Sequence, residues 1–286
     1  MSNTLRTAVL MGAMTALFIG VGGVIAGQTG MLVALLIAAV TNFAGYWFSD
    51  KLVLRMHGAQ EVAPTEAPAL TEIVSRLSRA AGLPAARLYL IGSDTPNAFA
   101  TGRNPQNAAI AVTRGLMDLC STSEIEAVIA HEISHIRNRD ILVSSVAATL
   151  AGAIMVLTSL LRWEMLVGLG GDRDGNSRGL LSTLAMIVLA PIAATLIQLG
   201  ISRAREYQAD NSGAALTGAP RELASALRKL ADVNARLPLE ADPSAAHLFI
   251  VNPLSGAGLT QLFSTHPPIE ERIRRLQRMA RFKESA

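Results

Sequence analysis

Charge is what this 286-residue sequence most lacks: Asp, Glu, Lys and Arg make up 16% of it, against the roughly 25% of an ordinary soluble domain. The deficit is local. Stretches 7–49, 141–161 and 179–202 contain no Asp, Glu, Lys, Arg or His and together span 88 residues. All 25 basic and 22 acidic residues therefore fall on the remaining 198, which makes that part about 24% charged, an ordinary soluble composition. Cysteine is almost absent too. With Cys120 alone, no intramolecular disulfide can form, and all-thiolate and Cys2His2 zinc sites are excluded. Any metal must be held by His and carboxylate. The net charge of +3 is small and dispersed, which argues against a nucleic-acid partner.

The uncharged stretches are membrane-like. A span needs about 20 apolar residues, so 7–49 suits two helices and is too long for one. Gln28-Thr29-Gly30 is the natural turn, predicting helices over about 7–27 and 31–49, with Tyr46-Trp47 at an interfacial belt. Gly12, Ala16, Gly20 and Gly23 suit close helix packing in lipid. A cleaved signal peptide over 7–27 behind Arg6 is the alternative, disfavoured by the second uncharged segment that follows almost at once. Stretches 141–161 and 179–202, the latter containing Pro191, read as a second hairpin around the polar loop 162–178, with a buried soluble hairpin as the alternative. Arg6, Lys51, Arg55, Arg137, Arg139, Arg203 and Arg205 fall on one side of the four spans. On the other are Arg162, Arg173 and Arg178, balanced by Glu164, Asp172 and Asp174. The positive-inside rule then predicts a multi-pass membrane protein with both termini and the charged mass in the cytoplasm.

The predicted organisation is a transmembrane hairpin over 1–49, a first part of the soluble domain over 50–140, a second hairpin over 141–202, and the rest of the soluble domain over 203–286. Leu70, Ile73, Val74, Leu77 and Ala81 mark a helix closed by Gly82 and Pro84. Residues 87–91 and 108–113 read as strands of a short antiparallel sheet, with a turn-rich segment over 92–107. Ser123 and Glu126 resemble a capping box opening a helix through Ile125, Val128, Ile129 and Ile133. Leu223, Leu227, Leu230 and Val233 mark another helix, and 267–282 a last one with Ile269, Ile273 and Leu276 inward.

His131-Glu132-Ile133-Ser134-His135 carries the chemistry. Four residues apart on a helix, the two imidazoles share a face and can reach one metal, with Glu132 beside an open coordination position. Given 5 His among 286 residues, chance would produce the pattern in about 0.004 of such chains. The bland alternative is an exposed salt-bridging helix. A catalytic zinc takes three protein ligands. The spacing that would recruit a third histidine from the same segment fails, because Asn138 and Ile141 stand where glycine and histidine would be needed. A glutamate on a separate helix is the other route, and Arg203-Ala204-Arg205-Glu206-Tyr207-Gln208-Ala209-Asp210 offers Glu206 as ligand. Asp210, one turn on, can accept a hydrogen bond from a ligand histidine. Glu206 could instead pair with Arg203 or Arg205. Depth favours the ligand: His135 lies about 9 Å of helix before one uncharged run and Glu206 about 6 Å after the other. His57 and His247 have no ligand-like spacing.

With these elements in order, plus Asn97-Ala98-Phe99-Ala100-Thr101-Gly102 and Ser264-Thr265-His266-Pro267-Pro268, the chain resembles the HtpX-type membrane zinc metalloproteases, relatives of the prenyl-protein (CAAX) endopeptidases. The resemblance covers essentially the whole chain. It implies an α+β fold: a multi-pass helical membrane protein carrying a mainly helical gluzincin domain with a small sheet. It also implies one zinc per chain, and endoproteolysis of misfolded or damaged membrane proteins at the lipid bilayer, in stress response and quality control. By the same resemblance, 97–101 would be an edge strand that binds substrate, with a turn at Pro96-Asn97 as the alternative, and His266 an oxyanion donor, with a plain loop histidine as the alternative. The competing functions are a CAAX-type processing protease, a non-catalytic zinc-containing membrane scaffold, which would not need Glu132, and a transporter, which the absence of ionisable residues in the long spans disfavours.

Overall fold

The computed structural model describes residues 3–167, 203–236, 250 and 267–284. The first helix, α1 (Asn3–Trp47), folds back on itself into two apolar arms, Asn3–Gly23 and Gly27–Trp47, each long enough to cross a membrane. The reversal comes at Gly27, whose φ of 59° lies in the left-handed region, slightly earlier than the predicted Gln28-Thr29-Gly30. Gly22 lets the arms touch: a Cβ there would come 2.6 Å from that of Ala34. Asn42 ties them lower down, its Nδ2 donating to Met11 O (3.2 Å) and Thr15 Oγ1 (2.8 Å). An unpaired amide donor in an apolar bundle would be costly, so these bonds from Nδ2 favour the faces that meet.

After α2 (Ser49–Met56) and the short β1 (Gln60–Glu61) come α3 (Pro68–Ala80), β2 (Arg87–Ile91), β3 (Ala98–Thr101) and β4 (Ala109–Thr113). The sheet order is β1-β2-β4-β3. It is mixed, not antiparallel as expected. β3 lies inside the segment read as turns, where the resemblance implied an edge strand; it is at the sheet edge, antiparallel to β4, and β4 runs parallel to β2. All five β4 residues are buried, as a central strand covered on both faces requires. Leu88, Ile110 and Val112 face the main core, which α3 and the later helices complete. Tyr89, Ile91, Phe99, Ala109 and Ala111 face the other way, against Val53, Leu54 and Ala148.

The short α4 (Arg114–Leu119) leads to α5 (Thr122–Arg137), whose capping box is Ser121 with Glu124, not Ser123 with Glu126. Two overlapping S-x-x-E pairs compete here. Glu124 wins because, besides accepting from Ser121 N–H (2.7 Å), it accepts from Ser225 Oγ (2.6 Å) and Lys229 Nζ (2.7 Å) of a later helix. Then α5 stops, Arg139 adopts φ 59°, and α6 (Asp140–Val167) starts in a new direction. The first turns of α6 pack Val143, Val146, Ala147, Leu150 and Ile154 against Leu10, Met14, Phe18, Ala34 and Ala38 of the α1 hairpin. The arm expected over 179–202 lies outside the described residues. The chain resumes in α7 (Arg203–Thr217), α8 (Pro220–Arg236) and α9 (Ile269–Glu284).

Candidate metal centre

Helices α5 and α7 approach closely because Gly213 faces α5. A Cβ at that position would come 2.8 Å from the His131 backbone nitrogen and 2.9 Å from its Cα. Glu206, Asp210 and Gly213 follow i, i+4, i+7 spacing, so the glycine brings the two carboxylates onto the histidine helix. His131 Nε2 and His135 Nε2 lie 3.2 Å apart. The Glu206 carboxylate straddles them, Oε1 at 3.4 Å from His135 Nε2 and Oε2 at 3.8 Å from His131 Nε2.

Each imidazole is held from behind by a carboxylate: His131 Nδ1 by Asp210 Oδ1 at 3.0 Å, and His135 Nδ1 by Asp140 Oδ2 at 3.3 Å. The two Nε2 atoms and the Glu206 carboxylate converge on one spot, where a cation between them would bind all three. Ligands about 2.0–2.2 Å from a tetrahedral ion stand about 3.3–3.6 Å apart, near the spacings found here. The donor set therefore fits a divalent cation, and His131, His135 and Glu206 form the metal-capable group among the described residues.

The electrostatics agree with the geometry. Burial favours neutral His135, but the Asp140 hydrogen bond and the charges of Glu206 and Glu132 outweigh it and raise its pKa to about 9. Such a site draws in positive charge. Burial pushes the Glu132 carboxyl above its usual range, against the pull of His131 and His135. Glu132 Oε2 also accepts a 2.8 Å hydrogen bond from Ala100 N–H on β3, so the carboxylate between helix and strand has a fixed orientation.

Arg272 is the functional neighbour that sequence reasoning missed. Fully buried, it forks onto Asp210 through Nε (2.8 Å) and Nη2 (2.7 Å), donates to Ile250 O (2.8 Å), and places Nη1 3.6 Å from Glu206 Oε2. Burial would raise the Asp210 carboxyl, but the Arg272 charge and fork hold it at about 2. A signal was present: Arg272 lies three residues after Ile269 and four before Leu276, on the inward stripe of α9, where a charge needs a buried partner. Asn97, 2% exposed, uses its side-chain oxygen to accept from Ile250 N–H (3.2 Å), and its backbone pairs with Thr113. It therefore ties Ile250 to the sheet. His266 and His247 lie outside the described residues. His57 rests on Val53 O and the Phe99 ring, away from the centre.

Residues 64–280, more than half of the chain, match the model of peptidase family M48. A protease HtpX homolog of Syntrophobacter fumaroxidans is 54% identical over 98% of this chain and 100% of its own length. Homologs of the same name from Desulforapulum autotrophicum and Persephonella marina are each 51% identical, covering 97% and 98% of this chain and 90% and 98% of their own. The crystal structure of S. mikatae Ste24p superposes with a TM-score of 0.50 at 21% identity over 96% of this chain, which spans 64% of that protein's length. With relatives half identical along nearly its whole length, the chain belongs to peptidase family M48 and is a membrane metalloendopeptidase.

Proposed function

We propose that the chain is a zinc-dependent endopeptidase of the inner membrane that cleaves misfolded or damaged membrane proteins, with one zinc held by His131, His135 and Glu206. When bound, zinc polarises the scissile carbonyl and acidifies the attacking water. Glu132 takes the proton from that water and delivers it to the leaving amine. Asp210 fixes the His131 ring, and Arg272 keeps Asp210 ionised. β3 is the edge strand beside Glu132, and the substrate chain adds alongside it. Asn97 holds the start of that edge, and His266 is assigned as the oxyanion donor. Both arms of α1 and the hairpin begun by α6 span the bilayer, with the protease domain and both termini in the cytoplasm.

One observation carries the reading: a buried carboxylate, raised in pKa and fixed by Ala100 N–H, stands beside a two-histidine, one-glutamate cluster. A structural metal site has no use for such a base. The membrane substrate is supported by the packing of α6, which starts five residues after His135, against the apolar hairpin. The test is cleavage of an unfolded protein and of a prenylated peptide by detergent-purified full chain, with and without chelator, beside Glu132→Gln. We expect Glu132→Gln to keep its zinc and lose about 10²–10⁴-fold in turnover of the unfolded protein. Full activity in zinc-loaded Glu132→Gln would refute the base, and cleavage of the prenylated peptide alone would replace the substrate class.

A further inference from the structure

We propose that Asp140 is a positioning residue for the metal ligand His135, and that Asn3 at the start of α1 holds Asp140 in place, so that the apolar hairpin and the metal centre are energetically coupled. The inference rests on His135 being a ligand, as proposed above.

Asp140 is 4% exposed, and a buried carboxylate needs donors. It collects them from three separate helices. His135 Nδ1 of α5 lies 3.3 Å from Oδ2, Arg205 Nη1 of α7 lies 3.3 Å from Oδ1, and Asn3 Nδ2 of α1 donates to Oδ1 at 3.2 Å. Arg205 is the neighbour of Glu206, so one carboxylate joins both ligand-bearing helices to the hairpin. Asn3 does more than donate once. The same amide nitrogen lies 3.3 Å from Asn138 O and 3.0 Å from Arg139 O, the two carbonyls left at the break between α5 and α6. Arg139 is the non-glycine residue with positive φ among the described residues, a conformation that persists only when its surroundings enforce it. Asn3 therefore clamps the strained joint that places Asp140 under the His135 ring. His131 has its own orienting carboxylate in Asp210, itself fixed by Arg272. In contrast, the orientation of His135 depends on a contact with the apolar hairpin.

The test measures zinc affinity of the full chain in detergent, by chelator competition, with Co²⁺ absorption as a second readout of ligand geometry. Asp140→Ala should weaken zinc binding about 10–100-fold and shift the Co²⁺ bands, and Asp140→Asn, whose amide oxygen can still accept from Nδ1–H while its amide nitrogen meets the donors Arg205 and Asn3, should recover part of the loss. Asn3→Ala should weaken zinc about threefold to tenfold in the wild-type background and add nothing to Asp140→Ala. Thr15→Ala, which removes hydrogen bonds to Met11 and Asn42 inside the hairpin, should leave zinc affinity unchanged. Wild-type affinity in Asp140→Ala would overturn the positioning role, and a silent or fully additive Asn3→Ala would overturn the coupling. His135→Ala separates the two readings: unchanged zinc binding there means that His135 is not a ligand, and the parent reading falls with this one.

Discussion

In the α1 hairpin the most exposed large apolar side chains are Leu32, Leu36 and Val40, while around the metal centre the most deeply buried include Arg272, His131 and Asp210. One region turns its apolar groups outward and the other its charges inward, the reverse of what water alone would select. The two inversions have different causes. Lipid solvates the leucines, so the hairpin needs few internal contacts beyond Gly22 and Asn42. The buried charges have no such solvent, and each must be matched by another: Arg272 by Asp210, His135 by Asp140, and the ligand cluster by a cation. Burial is thus a statement about which solvent a group has lost.

The largest way to break the contrast is to remove one buried charge. Arg272→Leu leaves the buried Asp210 with only His131 beside it and should cost about 3–5 kcal/mol, lowering the thermal midpoint and weakening zinc binding together. A stable, zinc-tight Arg272→Leu would show that Asp210 needs no partner but His131. Next is the opposite insertion. Leu36→Arg places a charge where lipid is expected and should cost about 2.5–3.5 kcal/mol, seen as protein extractable from membranes at high pH, whereas Leu36→Ala should change stability by under about 0.5 kcal/mol. Equal behaviour of the two variants would mean that Leu36 faces no lipid.

Smaller effects sharpen the soluble side. Gly213→Ala should push α7 off α5 and cost about 1–3 kcal/mol, with a measurable loss of zinc affinity, because the obstacle is His131 backbone. The least effect is one of pH. Burial would raise Glu124, but Lys229, Ser225 and the Ser121 N–H hold it down, from 4.5 to about 2. A depressed carboxyl contributes stability that is complete above its unfolded pKa and lost as pH falls through the folded one. The contribution should be about 1–2 kcal/mol, discounted for the half-exposed Lys229, and should disappear between pH 4.5 and 2. Denaturant midpoints over that window, wild type against Glu124→Gln, would show it as a difference that closes in acid.

How much of this was legible in the sequence follows the range of the interactions. His131 and His135 were readable because a four-residue helical spacing is local, and Glu206 and Asp210 because zinc chemistry demands a carboxylate and α7 offers it within one turn. The apolar hairpin followed from composition, and the fold class from the family resemblance. The parallel pairing of β2 with β4 was not readable, since strand order depends on β3 returning along β4, and no residue of either strand encodes that. Ser121 outcompeted Ser123 through Ser225 and Lys229, about a hundred residues away in the chain. Gly213 carries no chemistry to notice: it acts through the side chain it lacks. Arg272 could have been found by asking why an arginine sits on an apolar stripe.

The left-handed turn at Arg139 has a mechanical consequence. Had α5 continued straight into α6, the metal ligands would ride on a rod extending from the protease into the bilayer, and any tilt forced by bilayer thickness would swing them through an arc. A rod of about 30 residues beyond the break, roughly 45 Å, turns a tilt of a few degrees into ångströms of travel. The turn replaces the rod with a joint that Asn3 clamps, so a movement of the apolar hairpin reaches the His135 ring through the Asn3 and Asp140 hydrogen bonds and not by the swing of a long lever.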